Sequence, residues 1–218
     1  MFAAHKFEPY TDNGGSILAI AGEDYALIGS DTRLCRDNSI CTRDQKWLFK
    51  LSQRMVFGAV GCWADGLQLQ RLLSGRQQMY ESETDKSMST PAMAQMVSTV
   101  LYYKRFFPYN VSSLLAGLDE DGKGCVFHFD CLGWSERCEY CTEGSARSEM
   151  QPLLDNRIGL KNMQNVTKVP MSREKALVLL KDAFTSATER SSHTGDSVFI
   201  FIITANGVQE EMFQLRKD

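Results

Sequence analysis

The stretch Gly14–Arg33 (GGSILAIAGEDYALIGSDTR) constrains the fold more than any other part of the chain. Two apolar runs of strand length flank a Gly22-Glu23-Asp24 turn. So short a connection forces the runs antiparallel, because a parallel return needs a long crossover. Neither run alternates cleanly between apolar and polar residues, so both faces of the pair are expected to be covered. The pair therefore predicts the middle of a layered structure, and it delivers Asp31 at a strand end.

The rest of the chain repeats this pairing. After an irregular stretch over Leu34–Gln45, strands are predicted at Trp47–Leu51 and Met55–Gly61. A helix follows from Trp63 to Tyr80, with Leu69, Leu72 and Leu73 in its apolar stripe. Thr90-Pro91 predicts a helix start, a capping hydroxyl followed by proline where its missing N–H costs nothing. Met93, Met96, Val97, Val100 and Leu101 then follow the spacing of a buried helical face. Further strands are predicted at Val111–Leu118, Cys125–Asp130 and Glu139–Thr142, and a short helix at Gly144–Leu154. Ser172 caps a helix to about Arg190 whose stripe includes Leu180 and Phe184. Strands Val198–Ile203 and Val208–Leu215 are joined by an Asn206-Gly207 turn. Clustered strand pairs alternate with helix pairs, and amphipathic helices and sheets must cover one another in layers. The expected fold is α+β, a four-layer αββα sandwich of two stacked antiparallel sheets flanked by helices. With no linker or internal repeat in view, residues 14–218 read as one domain. Residues 1–13 read as an N-terminal extension, either docked on a neighbouring surface by Phe2, Phe7, Pro9 and Tyr10 or partly ordered.

Composition narrows the function. The chain has 218 residues and a formal net charge of −3, and it carries no long basic run. This argues against nucleic-acid and membrane-surface roles. No apolar run is long enough to span a bilayer, and the first ten residues lack the apolar centre of a secretion signal. The seven cysteines, an odd number, fit reduced thiols in a cytosolic or nuclear compartment.

Three motifs have simpler readings than the chemistry they suggest. Gly117–Gly124 nearly matches a phosphate-binding loop, but Gly124 stands where a hydroxyl should follow Lys123, and a strand follows instead of a helix. It reads as an acidic hairpin turn. Cys138-Glu139-Tyr140-Cys141 is one CxxC, whereas zinc sites usually show two close ligand pairs, so reduced structural cysteines are expected and no metal or cofactor is assigned. His128 and His193 have no GxSxG elbow to partner them.

The opening hairpin, together with Arg105-Phe106-Phe107-Pro108-Tyr109, Gly117–Gly124 and Gln151-Pro152-Leu153-Leu154-Asp155-Asn156, resembles proteasome beta subunits. Within that family the likeness points to the noncatalytic subunit of the sixth beta-ring position, and it runs from about Phe7 to Asp218. The resemblance implies the N-terminal-nucleophile hydrolase fold. It also implies stacked seven-membered rings shared with other alpha and beta subunits, an unfolded polypeptide substrate in their chamber, and a place in cytoplasm and nucleus.

Active members of the family attack with an N-terminal threonine freed by cleavage after a glycine, helped by a lysine, two aspartates and a serine. By the family's spacing the threonine position is Gly15, the lysine position Trp47 and the second aspartate position Ser191, while the first aspartate is kept as Asp31 and the serine as Ser145. Glycine offers no hydroxyl, and an amide within an uncut chain is no base because its lone pair is delocalised. An indole carries no charge. The expected catalytic set is therefore empty, with Asp31 holding a strand end and Ser145 capping the next helix. The alternative is an active hydrolase using Ser16 after cleavage at Gly15. Neighbouring residues on a strand face opposite ways, which weighs against both Ser16 and Lys46 as substitutes.

Overall fold

The apolar runs that open the chain form β1 (Ser16–Ala21) and β2 (Tyr25–Asp31), an antiparallel pair in which every residue of β2 is buried. The computed structural model describes residues 10–37, 39–163 and 169–216. Along the chain follow β3 (Leu34–Arg36), β4 (Ser39–Thr42), β5 (Leu48–Lys50), β6 (Met55–Gly61), α1 (Trp63–Thr84) and α2 (Thr90–Tyr103). The second half contains β7 (Val111–Leu118), β8 (Gly124–Phe129), β9 (Ser135–Cys138), β10 (Tyr140–Gly144), α3 (Arg147–Arg157), α4 (Arg173–Thr188), β11 (Ser197–Thr204) and β12 (Gly207–Gln214).

The strands form two antiparallel five-stranded sheets, ordered β10-β1-β2-β11-β12 and β5-β6-β7-β8-β9, with β3 and β4 as a separate ribbon. The period-two geometry of a strand explains the layers. On β1 and β2, Ile17, Ala19, Ala26 and Ile28 face the second sheet, where they pack with Val56, Leu114 and Val126. Leu18, Ile20 and Leu27 face the other way, onto Met150 of α3 and Leu180 and Phe184 of α4. Both faces are covered, so both parities are apolar and alternation is lost. On the outer face of the second sheet, Phe57 and Leu115 meet Leu69 and Leu73 of α1 and Met93, Val97 and Leu101 of α2. Burying each such side chain contributes about 1.5–3 kcal/mol. The result is the αββα sandwich expected.

Several local expectations are corrected. The stretch expected to be irregular after Arg33 contains the β3–β4 ribbon, whose outer strand is largely exposed. One strand was expected near Glu139, but there are two: the chain leaves β9 on the second sheet, passes Glu139 and enters β10 on the first. The cap of α2 is Ser89, which accepts the Ala92 amide, while the Thr90 hydroxyl donates to the Leu118 carbonyl at 2.6 Å. Pro152 lies inside α3 and does not end it. Its missing N–H frees the carbonyl of Ser148, and both residues are exposed, so water can take that bond. The last hairpin turns at Ala205-Asn206, with Thr204 paired to Gly207, and of the expected Asn206-Gly207 pair only Gly207 takes a positive φ, +113°. In the tail, Phe2, Phe7 and Pro9 lie outside the described residues. Tyr10 places its ring 5.7 Å from that of Phe107 and donates its hydroxyl to the Pro108 carbonyl at 2.8 Å.

Candidate functional site

The site lies where the chain enters β1. Asn13 is tied on both sides: its amide donates to the Gly61 carbonyl, its carbonyl accepts from Cys35, and its side chain bonds Cys35 and Trp63. Gly14 accepts from the Gly61 amide at 3.0 Å. These bonds bring Gly15 into the site in a left-handed conformation, φ +83°, that glycine adopts without a Cβ penalty. A Cβ on Gly15 would stand 2.7 Å from Cε2 of Trp47, inside any real contact distance. Trp47 is fully buried, edge-on to Trp63 with ring centroids 5.5 Å apart. Its Nε1–H has no hydrogen-bond partner among the described residues. An indole therefore occupies the space beside the glycine. Lys46, the adjacent cation, points elsewhere, with its ammonium 5.4 Å from the Phe199 ring centroid.

Asp31 is buried at the end of β2 and ties three segments together. Its Oδ1 accepts the Ser16 amide at 2.8 Å and its Oδ2 accepts the Gly195 amide at 3.2 Å. Burial pushes the carboxyl up to about 8, against the opposing pull of these amides and of Arg33. Asp31→Asn would turn the side-chain NH2 toward a backbone N–H on one side or the other. The expected result is a loss of about 1–3 kcal/mol, the cost of one buried donor left unsatisfied. Urea unfolding of the two proteins side by side would measure it, and equal midpoints would contradict the described geometry.

The serine positions behave differently from expectation. Ser145 does not cap α3: its residue is exposed, and its contribution is an amide that donates to the Gly15 carbonyl at 2.9 Å. The hydroxyl at the start of α3 comes from Ser16, which accepts the Ala146 amide at 3.0 Å and lies 2.8 Å from the Thr194 hydroxyl. Ser191 donates to Thr194 at 3.2 Å. Ser16 is fully buried in this network, with its amide held by Asp31. The structure thus gathers Gly15, Asp31, Trp47, Ser145 and Ser191 around the start of β1.

Sequence reasoning missed the buried ion pair beneath them. Arg33, 1% exposed, donates through Nε to Asp196 Oδ2 at 2.9 Å and through Nη1 to the Ser192 carbonyl at 2.8 Å. Arg43 closes on the other Asp196 oxygen. Burial pushes the Asp196 carboxyl up, but the bonds from the two arginines outweigh it and hold the group below the ordinary carboxylate range. The available signal was an arginine two residues past the most buried strand, where a charge needs a partner.

Comparison with known proteins places the chain in a family. A family model described as "Proteasome subunit" matches residues 11–203. A goldfish (Carassius auratus) protein named proteasome subunit beta type-1-B is 50% identical over 98% of this chain and 90% of its own length. Proteasome subunit beta type-1 of Drosophila melanogaster is 47% identical over 97% of this chain and 91% of its own. Proteasome subunit beta type-6 of Saccharomyces cerevisiae is 41% identical over 98% and 92%. The chain belongs to the proteasome subunit family.

Proposed function

We propose that this chain is a noncatalytic beta subunit of the 20S proteasome core particle. It fills one place in a seven-membered beta ring, contacts other alpha and beta subunits, and helps wall the chamber in which neighbouring subunits cut unfolded polypeptides, in cytoplasm and nucleus. The observation that carries the reading is the indole of Trp47 standing where a side chain at position 15 would have to reach. A nucleophile needs an activating base within hydrogen-bond reach. The position holds neither hydroxyl nor ammonium, and the nearest hydroxyl, on Ser16, is engaged with Ala146 and Thr194.

A subunit role also fits the surface. At the end of α2, Tyr103 is 77% exposed and Phe106 87% exposed, and Arg105 stacks on Tyr102 and Phe106. Exposed aromatic and arginine side chains are suited to anchoring a partner. Among the described residues no helix is long and apolar enough to cross a membrane.

The test is to isolate the native particle containing the chain, treat it with an electrophile directed at N-terminal threonine nucleophiles, and map adducts by peptide mass spectrometry. Adducts are expected on other subunits and none on this one. A modified Ser16, or a mature chain beginning at Ser16, would establish the hydrolase alternative. Migration as a lone chain of 24.6 kDa would overturn the ring assignment.

A further inference from the structure

The two sheets are joined at one edge by the single residue Glu139, between β9 and β10. This step puts Cys138 on the last strand of one sheet and Cys141 on the first strand of the other. The CxxC motif alone supplied one ligand pair. The fold adds another. His128 on β8 shares the parity of Val126, which pairs with Cys138, and Glu143 shares that of Cys141, so all four side chains sit on the facing sides of the two sheets.

The ligand atoms are close. One atom each from His128, Cys141 and Glu143 all lie within 4.8 Å of one another. Cys138, on the same face and lining the same cleft, turns its thiol to the Val126 carbonyl at 3.7 Å and must swing in to complete a fourth position. Glu143, 5% exposed, places Oε1 2.8 Å from His128 Nε2 and 2.9 Å from an Arg147 guanidinium nitrogen. The oxygen is buried between these two nitrogens. An acceptor so enclosed is suited to a cation.

We infer that His128, Cys138, Cys141 and Glu143 form a zinc site that clamps the two sheets together at their shared edge. Mixed imidazole, thiolate and carboxylate donors match zinc, and thiolates disfavour calcium and magnesium. With both thiols ionised and the imidazole neutral the set carries three negative charges. A divalent ion and the Arg147 guanidinium cancel them. On binding, the two thiol protons pass to solvent. Tetrahedral bonds of about 2.0–2.3 Å need ligand atoms about 3.3–3.8 Å apart. The His128–Glu143 pair must therefore widen by about half an ångström while the sulfurs draw in. Arg147, 55% exposed, is free to yield, and a cleft of about 440 Å³ lined by His128, Cys138, Cys141 and Arg147 gives entry.

The experiment uses the reduced full-length chain, free or within its particle, with zinc and cobalt(II) as probes, and its readout is metal content, which does not depend on the proposed subunit role. One metal per chain is expected, with a thiolate-to-cobalt charge-transfer band. Cys141→Ser and His128→Ala are expected to weaken binding at least about tenfold, as loss of a ligand contact should. Cys41→Ser, at an exposed thiol, leaves binding unchanged. If either variant fails to fold, Cys138→Ser and Glu143→Gln take its place. No metal, binding undiminished in the ligand variants, or a Cys138–Cys141 disulfide in the native chain would overturn the site.

Discussion

Gly15→Ala is expected to destabilise the folded chain by about 2–5 kcal/mol. Two terms add. A non-glycine residue at the left-handed φ of +83° costs about 1–2 kcal/mol. Forcing a methyl into a packed site costs a further 1–3 kcal/mol or so, and here the first obstacle is Cε2 of Trp47 at 2.7 Å. Trp47 has little room to move, because it is fully buried and braced by Trp63. A double-mutant cycle separates the terms. Trp47→Ala alone opens a cavity and costs about 3–5 kcal/mol. Combined with Gly15→Ala it should restore the steric part, a coupling of about 1–3 kcal/mol, and leave the backbone part. Denaturant midpoints of the four proteins give the answer. Strict additivity would mean that the glycine and the indole do not share one space, and the main support for a noncatalytic role would go with it.

Asp196→Ala should cost about 3–5 kcal/mol, the usual penalty for removing one member of a buried ion pair. Arg33 is 1% exposed and would lose the carboxylate to which its Nε donates at 2.9 Å. The same substitution also tests the electrostatics. Because the folded Asp196 carboxyl is held below its ordinary range, its contribution is fully present above about pH 4, the ordinary value for the unfolded chain. It is lost as pH falls through the folded value. The gap in stability between the native chain and Asp196→Ala should therefore be constant near neutrality and close in strong acid. A gap that widened on acidification would reverse the assigned sign. Unfolding monitored by tryptophan fluorescence across that range would decide it.

What could be read from the sequence, and what could not, follows from burial. β1, β2, β6 and β11 were legible because each is covered on both faces and so writes a continuous apolar run. β9 was missed because Ser135, Glu136 and Arg137 are exposed on a sheet edge, where a strand carries polar residues. In the ribbon, β4 was missed for the same reason, and β3, although Leu34 and Cys35 are buried, is too short at three residues to write a pattern. At the site, the correspondence of Gly15, Asp31 and Trp47 came from resemblance, and the contacts among them came only with the fold. That Ser16, and not Ser145, serves the first amide of α3 depends on a bond between residues 130 positions apart. The His128 and Glu143 donors were invisible beside the single CxxC, since only the step through Glu139 brings β8 and β10 face to face.

The order of strands in the first sheet bears on how the chain is made. β2, the most buried strand, is flanked by β1, its immediate predecessor, and by β11, which follows only after eight further strands and all four helices. Emerging from the ribosome, the β1–β2 hairpin would wait for β10 and β11 with both outer edges open and its apolar faces uncovered. Contacts of such long sequence separation form slowly and expose strand edges to misassociation in the interval. A nascent chain of this design should engage a protective partner early and release it only after the segment around Ile200 has been synthesised.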